Sequence, residues 1–480
     1  MLPINGIYSF MYQQCYRIVF LCIEVIKPHR MNKPVFFQKL LTKQQLNPTE
    51  ILLCLSHLNH VVYLKNVKQP VIALFPAEYM LVRNKKNQKF TRITLNQYQQ
   101  KDKPIDFNHF FKKDLPNHPS GFNGGLIGFI SYDEATQQQV NTQAKNQPSL
   151  FLGIYCSYIK LTDQGWTFFS HEHDAEAIFQ MLQDTLQNKK QPIKKNQSFI
   201  LTHPCTARWN KQQYVNAFQQ VQDYIRAGDC YQINLTQEFT AKAQGLLLDT
   251  AEAFWQLTDA PYSGYIRIDD FELLSCSPEL FIEFEANRKI TTKPIKGTMP
   301  RSQDAVLDEQ SRQSLIHSKK DQAENVMIVD LLRNDLSVYA ETGSVKTPKL
   351  FEIESFNQVH HMVSEVTATL REDINPLHVL MSALPGGSIT GAPKIRAMQI
   401  IEELEGAPRG AYCGSMGYFN FDGTGSWNIL IRSIQKYQED VSVWAGGGIT
   451  IASDCDAEYQ ECFDKVEAML NLLNTWYTSK

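Results

Sequence analysis

The stretch from Ser275 to Arg301 reads SCSPELFIEFEANRKITTKPIKGTMPR, and it predicts two strands joined by a tight turn. FIEFE and KITT carry the alternation and β-branching of strands, with Asn287 and Arg288 as the turn between them. Such a hairpin brings Glu279, which precedes the first strand, and Lys296, which follows the second, to the same end. We therefore expect a carboxylate and an amine to be neighbours.

The backbone around Lys296 has little freedom. Pro294 fixes its own φ, and Gly297 permits a sharp or closely packed exit from the segment. An amine on such a segment points in one defined direction. Taken alone, the stretch also fits a surface hairpin with a solvated lysine and glutamate, so the choice depends on the rest of the chain.

The length of 480 residues predicts either two domains or one large two-layered domain. Apolar residues make up 43% and charged residues 20%, as in ordinary globular proteins. The 47 basic and 50 acidic residues nearly cancel, so neither nucleic acid nor a membrane is expected as a partner. The ten cysteines form no C-x-x-C pair, which indicates reduced thiols and a cytoplasmic location.

The first thirty residues contain the apolar run YRIVFLCIEVI. Its uncharged part, between Arg17 and Glu24, is six residues long, far short of the roughly 20 that span a bilayer. The basic start and small-residue cleavage site of a signal peptide are also missing. Two alternatives stay open: residues 1–30 belong to the working chain, or they are an upstream extension without function and Met31 is the start.

Residues 31–198 predict an N-terminal α+β segment, and residues 199–480 a second segment that carries the site. The charged, proline-bearing stretch QNKKQPIKKNQS (187–198) marks the connection between them. Within the first segment, the glycines of GFNGGLIGFISYDEA (121–135) indicate backbone packed closely against another sheet rather than against a ligand.

The second segment opens with a predicted helix over Lys211–Ala227 and a strand, CYQINLTQEF (230–239). On that strand Gln232, Asn234 and Thr236 share one face, which either lines a polar site or is the wet side of a sheet. KKDQAENVMIVDLLRNDLS (319–337) predicts a long helix with Glu324 near its start. An acid there either complements the helix dipole or serves as a ligand.

Two further segments offer binding groups. HHMVSEVTATL (360–370) alternates as a strand that carries His361. The glycine-rich loop of ALPGGSITGAPK leads into a helix and offers free amides near Thr390 and Gly391 to an anion. It is not a nucleotide P-loop, because Lys394 lies two residues too late and no serine or threonine follows it. We expect a carboxylate there.

The C-terminal run predicts three strands and a final helix. Arg432 is the one basic residue inside the apolar NILIRSI, so an acidic partner is expected for it. Gly446–Gly448 supply consecutive amides without side chains, suited to an anion or to close backbone approach. On the last helix Glu458, Glu461 and Lys465 share one face, which we expect to point into a cleft.

These segments, taken together, resemble a known family. YQINLTQ, SCSPELF, PIKGTMPR, KDQAENVMIVDLLRNDLS, HHMVS, LPGGSITGAPK, GAYCGSMGY, AGGGIT and DAEYQECFDKV are similar, in this order, to the chorismate-binding domain shared by anthranilate, aminodeoxychorismate and isochorismate synthases. The resemblance covers residues 205–480, with FNGGLIGFISYD as a weaker match to the family's N-terminal domain. It implies an α+β fold in which two large β-sheets pack as a sandwich flanked by helices.

Two positions distinguish the branches of this family. Where the isochorismate and salicylate branches carry a lysine that activates water, this chain has Gln232, which cannot act as a base. At Lys296, anthranilate synthases carry alanine in P-I-A-G-T, whereas the para-aminobenzoate branch carries lysine. The resemblance therefore implies amination of chorismate to 4-amino-4-deoxychorismate, in the route to para-aminobenzoate and folate.

The resemblance also implies roles for individual residues. Lys296 attacks ring carbon C2 of chorismate, and Glu279 is the general acid/base. Glu324 and Glu461 match ligands of Mg²⁺, a hard ion that prefers carboxylate oxygens. The remaining substrate-binding matches are Gly297, Thr298, His361, Thr390, Tyr412, Arg432, Gly446, Gly447, Gly448 and Lys465.

Ammonia must come from elsewhere, because the chain shows no glutaminase signature. Cys413 in AYCGS belongs to the chorismate-binding domain, so a separate glutamine amidotransferase subunit is implied. The family's N-terminal half also holds tryptophan in some members. Pro261, Tyr262 and Ser263 suit that pocket, but Lys65 in YLKN replaces an acid that it requires.

Two rival functions remain at this point. An anthranilate synthase that tolerates lysine at position 296 would share every other residue and would aminate C2 instead of C4. A non-catalytic relative would bind chorismate without converting it, although the intact catalytic and metal-matched residues argue against this.

Overall fold

The computed structural model describes residues 36–43, 46–66, 69–102, 105, 110–111, 121–187, 198–355 and 359–478. The candidate extension at residues 1–30 and most of the connection at 187–198 lie outside the described residues. None of the described helices combines the length and apolar character needed to cross a membrane. The eight described cysteines are free thiols, as predicted.

The strands are numbered in chain order. They are β1 (Phe37–Thr42), β2 (Val62–Leu64), β3 (Val71–Leu74), β4 (Glu78–Arg83), β5 (Lys86–Thr94), β6 (Gln97–Lys101), β7 (Gly125–Ile130), β8 (Pro148–Tyr155), β9 (Ser157–Thr162), β10 (Gly165–Ser170), β11 (Ile200–Ala207), β12 (Gln232–Gln244), β13 (Tyr262–Ile268), β14 (Phe271–Ser277), β15 (Leu280–Phe284), β16 (Lys289–Thr292), β17 (Ile295–Pro300), β18 (Lys346–Ser355), β19 (Val359–Thr369), β20 (Gly391–Ala392), β21 (Ser415–Asn420), β22 (Gly425–Asn428), β23 (Ser433–Tyr437) and β24 (Asp440–Ile449).

The α-helices of the described residues are numbered in the same way. They are α1 (Pro48–Cys54), α2 (Tyr132–Gln137), α3 (Ala175–Gln187), α4 (Lys211–Arg226), α5 (Ala251–Thr258), α6 (Ala305–Ile316), α7 (Lys319–Ser337), α8 (Pro376–Ala383), α9 (Lys394–Glu405), α10 (Cys455–Asp464) and α11 (Glu467–Asn474).

The strands form two antiparallel sheets. The first sheet has the order β1-β10-β9-β3-β2-β13-β14-β23-β24-β12-β11, with β20 also paired to β12. The second sheet has the order β17-β19-β16-β15-β22-β21-β7-β8-β4-β5-β6, with β18 also paired to β19. Strands from before and after residue 198 contribute to both sheets. The predicted division into segments 31–198 and 199–480 therefore stays a prediction about the sequence, because the sheets run across it.

The two sheets pack face to face around an aromatic core. Ile127, Phe129 and Phe151 of the second sheet share one buried cluster with Ile266 and Phe271 of the first sheet. The rings of Phe129 and Phe271 stack across the interface with centroids 5.3 Å apart. Burying such side chains is the main driving force for this arrangement. The predicted sandwich flanked by helices is confirmed.

The glycines of β7 approach neighbouring strands rather than a second sheet. A side chain at Gly125 would collide with the Phe419 carbonyl, and one at Gly128 with the Phe151 carbonyl. Both carbonyls belong to strands paired with β7 in the second sheet. The predicted close backbone packing is therefore correct, but its partner is the same sheet.

The predicted hairpin between residues 280 and 292 forms. β15 and β16 pair antiparallel with Phe284 opposite Ile290. Asn287 and Arg288 make the turn with φ of 58° and 59°, the left-handed region typical of tight turns. Gly297 follows with φ of 83°, and a Cβ there would lie 2.7 Å from Leu315 Cδ1. The exit after Lys296 thus needs both the conformation and the small size of glycine.

The chain crosses from one sheet to the other at two adjacent places, and these crossings position the site. Glu279 lies between β14 of the first sheet and β15 of the second, and Arg432 lies between β22 and β23. The crossings are joined by hydrogen bonds from Ile429 N to Glu279 O (3.1 Å) and from Cys276 N to Arg432 O (3.1 Å). Two charged residues are thereby held side by side at the opening between the sheets.

Two predictions of secondary structure need correction. The C-terminal run holds four strands, β21 to β24, rather than three. The final helix is two helices, because Val466 leaves helical geometry with φ of −128° and ψ of 1° between α10 and α11. The apolar stripe continues through the break, so spacing alone did not reveal it.

Candidate active site

Glu279 and Lys296 are neighbours at the end of the hairpin, as predicted. Glu279 is 7% exposed and accepts a hydrogen bond from the backbone amide of Ile295, the residue before Lys296. Lys296 is partly buried on β17, and its Nζ lies 3.4 Å from the Ser388 carbonyl. The structure therefore brings a buried carboxyl group and a partly buried amine close together.

The ionisation of both groups is shifted toward their neutral forms. Burial raises the pKa of Glu279 to about 7, against the opposing effect of Lys296. Burial lowers the pKa of Lys296, and the nearby Lys465 ammonium acts in the same direction, while Glu324 and Glu279 oppose them. A neutral amine is a nucleophile and a protonated carboxyl is a proton donor, so the site favours the two forms that the chemistry needs.

Two helices carry three glutamates near this pair, of which Glu324 and Glu461 interact electrostatically with Lys296. Glu324 is on α7, and Glu458 and Glu461 are on α10. Glu324 lies in the second turn of its helix, and the acid in the first turn is Asp321. The alternative that Glu324 complements the helix dipole from the first turn is therefore wrong. A Cβ at Gly447 would lie 2.8 Å from Glu458 Oε2 and 3.3 Å from Glu461 Oε1, so glycine makes room for both carboxylates.

Lysines balance these glutamates. Lys465 Nζ lies 2.6 Å from Glu461 Oε1, and Lys320 Nζ lies 3.6 Å from Glu458 Oε1. Glu324 and Glu461 both interact electrostatically with Lys296 and with Lys320, so the two carboxylates predicted to share an ion face the same two ammonium groups. Burial raises the pKa of Glu324, whereas Lys465 holds the pKa of Glu461 below its usual range although burial opposes this.

The residues present fit a magnesium ion. Glu324 Oε1 is buried and has no hydrogen-bond partner among the described residues, so it is an oxygen open to a further ligand. Carboxylate oxygens are the donors that Mg²⁺ prefers. Within the described ranges, no three His, Cys, Asp or Glu side chains converge closely enough to enclose an ion by themselves. An ion held by Glu324 and Glu461 would therefore need water and substrate as its other ligands.

Arg432 differs from the prediction. It is partly buried with φ of 49°, and it forms no ion pair with any of the described residues. Burial lowers its pKa, and Glu279 is the acidic group that opposes this effect. The expected acidic partner is therefore missing as a direct contact, and Glu279 is an electrostatic neighbour only. The guanidinium is left available to an anion.

Three of the other predicted substrate-binding residues have defined neighbours. Thr298 Oγ1 and His361 Nδ1 are hydrogen-bonded at 2.8 Å as cross-strand partners of β17 and β19. Burial, followed by Arg432, lowers the pKa of His361 to about 4, so its ring is neutral at pH 7. Tyr412 is buried and stacks on Trp444 with ring centroids 5.9 Å apart.

The two segments predicted to offer backbone amides, Gly446–Gly448 and the loop at Thr390, differ in their hydrogen bonds. Strand β12 pairs with Gly446–Gly448 along one edge, while pairing of β24 with β23 on the other edge ends at Val443. Lys465 Nζ donates to the Gly446 carbonyl at 2.8 Å on the glycine segment. At the other site, Thr390 Oγ1 donates to Gly386 O at 3.0 Å, and Thr390 N reaches Gly387 O only at 3.4 Å.

In the segment considered for tryptophan, Tyr262 is the strand partner of Ser277, two residues before Glu279. Lys65 N donates to Ser263 O at 2.8 Å, so the YLKN and Pro261–Ser263 segments are adjacent as the resemblance implies. The Lys65 ammonium pairs with Asp259 at 2.7 Å, and Tyr262 O accepts a hydrogen bond from Asn428. Binding of tryptophan there stays a prediction.

Sequence reasoning missed Arg409 and Glu405. Both are about 1% exposed and form a two-point ion pair beneath the glycine-rich loop. Arg409 stands in the largely apolar run GAPRGAYCG, so the reasoning that singled out Arg432 applies equally to it. Gln232 was assigned only by resemblance; both of its amide atoms are buried without a partner in the described structure.

Comparison with known proteins identifies the class. A family model described as chorismate binding enzyme matches residues 59–471. The chain therefore belongs to the chorismate-binding enzyme family, and the prediction of an enzyme that acts on chorismate is confirmed. In the crystal structure of anthranilate synthase component I from Streptococcus pneumoniae TIGR4 the same fold recurs, with a TM-score of 0.71, 26% identity, and 84% of this chain and 92% of that chain covered.

Within the family, sequence similarity favours one branch. Aminodeoxychorismate synthase component 1 of Salmonella typhimurium is 41% identical over 384 residues, covering 78% of this chain and 83% of the relative. Anthranilate synthase component 1 of Aquifex aeolicus is 31% identical over 418 residues, covering 82% of this chain and 84% of that relative. The higher identity to the aminodeoxychorismate enzyme agrees with the lysine at position 296.

Proposed function

We propose that this chain is component I of an aminodeoxychorismate synthase, which converts chorismate and ammonia into 4-amino-4-deoxychorismate. The observation that carries the proposal is the partly buried Lys296 beside Glu279, in the place where the anthranilate branch has alanine. An amine at this position can attack chorismate itself. A mechanism in which ammonia attacks chorismate directly has no use for such an amine.

The reaction consists of two displacements. The neutral Nζ of Lys296 forms a bond to C2 of chorismate, the two conjugated ring double bonds shift from C1=C2 and C5=C6 to C1=C6 and C4=C5, and the C4–O bond breaks. Glu279 gives its proton to the departing hydroxyl, which leaves as water. Ammonia then forms a bond to C4, both double bonds shift back, the Nζ–C2 bond breaks to release the neutral amine, and the excess proton of the ammonia nitrogen returns to Glu279. Both displacements involve the same carbons, which explains amination at the position that lost the hydroxyl.

The metal is assigned to Glu324 and Glu461. Bound Mg²⁺ would supply positive charge to a substrate carboxylate. The two glutamates would hold it from α7 and α10, with room provided by Gly447. Lys465 pairs with Glu461, and Lys320 interacts electrostatically with both carboxylates.

The substrate carboxylates are assigned to the unpaired cation and the amide sites. Arg432, Tyr412 and the amides of Gly446–Gly448 would bind the enolpyruvyl carboxylate. Gly297, Thr298, His361, Thr390 and Lys465 would line the rest of the pocket. The neutral His361 fits a hydrogen-bonding role toward the ring hydroxyl or carboxylate better than a charged one.

The supply of ammonia is assigned to a partner protein. We propose a glutamine amidotransferase subunit that forms a heterodimer with this chain, in agreement with the component 1 designation of the Salmonella relative. The free cysteines support the proposed cytoplasmic location.

One assay tests the proposed function. The purified chain is mixed with chorismate, an ammonium salt and Mg²⁺, and the product is identified by mass and NMR. We expect 4-amino-4-deoxychorismate. Anthranilate as the product would transfer the chain to the rival branch, and no consumption of chorismate would indicate a non-catalytic relative.

A further inference from the structure

Arg409 is a buried cation that the proposed reaction does not use. It is 1% exposed, and its guanidinium binds Glu405 through two bonds, from Nε to Oε2 (2.8 Å) and from Nη2 to Oε1 (2.7 Å). Glu405 in turn accepts hydrogen bonds from Thr236 N (2.9 Å) and Thr236 Oγ1 (2.6 Å) on β12. The ion pair is therefore fixed to the end of helix α9 and to strand β12.

The remaining donors of Arg409 hold two backbone carbonyls next to the site. Nη1 donates to Ile389 O at 3.0 Å, and Nη2 donates to Asn234 O at 2.7 Å. Ile389 O also accepts a bond from Asn234 Nδ2 at 3.0 Å. The Ile389 carbonyl and the Thr390 N–H belong to one planar peptide and point in opposite directions. Fixing the carbonyl therefore fixes the direction of the Thr390 amide.

The Thr390 amide has little else to hold it. Its bond to Gly387 O is long, at 3.4 Å, whereas the Thr390 carbonyl accepts a short bond from Asn234 N at 2.8 Å. The direction of this buried amide is thus set by Arg409 and Asn234, and its own hydrogen bond to Gly387 O is long.

Arg409 also contacts the aromatic wall of the pocket. Its guanidinium lies 5.9 Å from the ring centroid of Tyr412 and 4.6 Å from that of Tyr132. Helix α2 holds the backbone of Gly410, the residue after Arg409, through two hydrogen bonds. Tyr132 N donates to Gly410 O (3.0 Å), and Gly410 N donates to Asp133 Oδ1 (3.0 Å). One side chain thus joins β12, the glycine-rich loop, Tyr412 and the N-terminal part of the chain.

We propose that Arg409, oriented by Glu405, is a positioning residue for the substrate carboxylate pocket, because it sets the Thr390 amide and the Tyr412 ring where a bound carboxylate meets them. The proposal rests on the proposed function, in which Thr390 and Tyr412 bind chorismate. Lysine cannot replace this residue, since a point charge cannot bond the same four acceptors in one plane. Arg409 acts through its neighbours and does not touch the substrate.

The test compares Arg409→Lys with Arg208→Lys in the full chain with Mg²⁺ and ammonium. Arg208 donates to the Glu405 carbonyl at 2.6 Å but to neither Ile389 nor Asn234, so it is a matched control at the same helix end. The dissociation constant and KM for chorismate should rise about ten-fold or more in Arg409→Lys. Its kcat should stay within about two-fold, because the lost contacts serve substrate and transition state alike. Arg208→Lys should match the wild type.

A second variant separates positioning from stability. Arg409→Met with Glu405→Gln removes both charges and keeps an amide acceptor for Thr236, so a cooperative melt is expected while chorismate binding stays weak. Wild-type chorismate affinity in either folded variant, or a loss of kcat alone, would overturn the proposal. Failure of both variants to fold would also overturn it, because Arg409 would then be a residue of stability.

Arg432→Met distinguishes this proposal from the proposed site. If Arg432→Met leaves chorismate affinity unchanged, the assignment of the carboxylate pocket is wrong. If it weakens binding while Arg409→Lys does not, only the positioning role of Arg409 fails.

Discussion

The molecule buries charge in two opposite ways within one sandwich. At Arg409 and Glu405, every charged atom that the structure describes has a protein partner at 2.7–3.0 Å. At Lys296, Glu279 and Arg432, the groups are buried or partly buried without ion pairs among themselves, and burial shifts the pKa of each toward the neutral form. The first arrangement fixes backbone, whereas the second leaves bonding capacity for a ligand.

This difference shows how a functional site is recognised in a buried environment. An unpaired buried charge is costly, and it persists where a ligand or a reaction supplies the missing partner. A fully paired charge of equal burial carries no such demand. The predictions that follow test the distinction.

The largest effect is expected for Lys296→Ala. Removal of the nucleophile should reduce formation of 4-amino-4-deoxychorismate by at least about a hundred-fold, while chorismate binding is largely retained. Because alanine restores the anthranilate-type motif, slow formation of a C2-aminated product is also expected. Product analysis by mass and NMR measures both, with Lys293→Ala as the control, since Lys293 is a neighbouring lysine that faces Glu365 at 3.8 Å. Equal activity of the two variants would remove Lys296 from the chemistry.

The second effect is on stability and compares the two arginines. Arg409→Met leaves the Glu405 carboxylate buried without a cation and should lower the free energy of unfolding by about 3–5 kcal/mol. Arg432→Met removes a charge that has no direct partner and should leave stability unchanged or raise it. Denaturant unfolding of both variants measures the difference. If Arg432→Met is as destabilising as Arg409→Met, the two regions do not bury charge differently.

The third effect is on the metal. Glu461→Gln removes one of the two proposed ligands and should weaken Mg²⁺ binding about ten-fold or more, with a parallel loss of chorismate affinity. Calorimetric titration of Mg²⁺ gives the affinity directly. Glu467→Gln, at an exposed position of α11, is the matched loss of one carboxylate and should bind Mg²⁺ like the wild type. An unchanged magnesium dependence in Glu461→Gln would exclude it as a ligand.

The smallest effect concerns pH. The pKa of Glu279 rises from its ordinary 4.5 to about 7 on folding, so the folded state binds the proton more tightly than the unfolded state. Stability contributed by this group is therefore present below pH 4.5 and is lost as pH rises toward 7. Glu279→Gln should lack this loss, so melting curves of the variant and the wild type should diverge between pH 5 and pH 7. If the melting temperatures of the variant and the wild type change in parallel between pH 5 and pH 7, folding does not raise the pKa of Glu279.

Local sequence patterns predicted the strands and helices that carry the site. The features that were missed depend on contacts between residues far apart in the sequence. The β15–β16 hairpin and helix α7 were readable because β-branched alternation and a strong helical pattern agree with their turn and capping residues. The Arg409 contacts join residues 234, 389 and 405, which no spacing rule connects. The lack of an ion pair for Arg432 among the described residues could likewise not be predicted, because a sequence shows that a buried cation needs a partner but not whether the protein supplies it.

A covalent adduct on Lys296 tests the central claim most directly. The enzyme is mixed with chorismate and Mg²⁺ without ammonia, and the intact protein and its peptides are examined by mass spectrometry. The two-displacement mechanism predicts an adduct on Lys296 with the mass of chorismate less one water. No adduct, together with 4-amino-4-deoxychorismate formation at the wild-type rate in Lys296→Ala, would contradict it and would favour direct attack by ammonia.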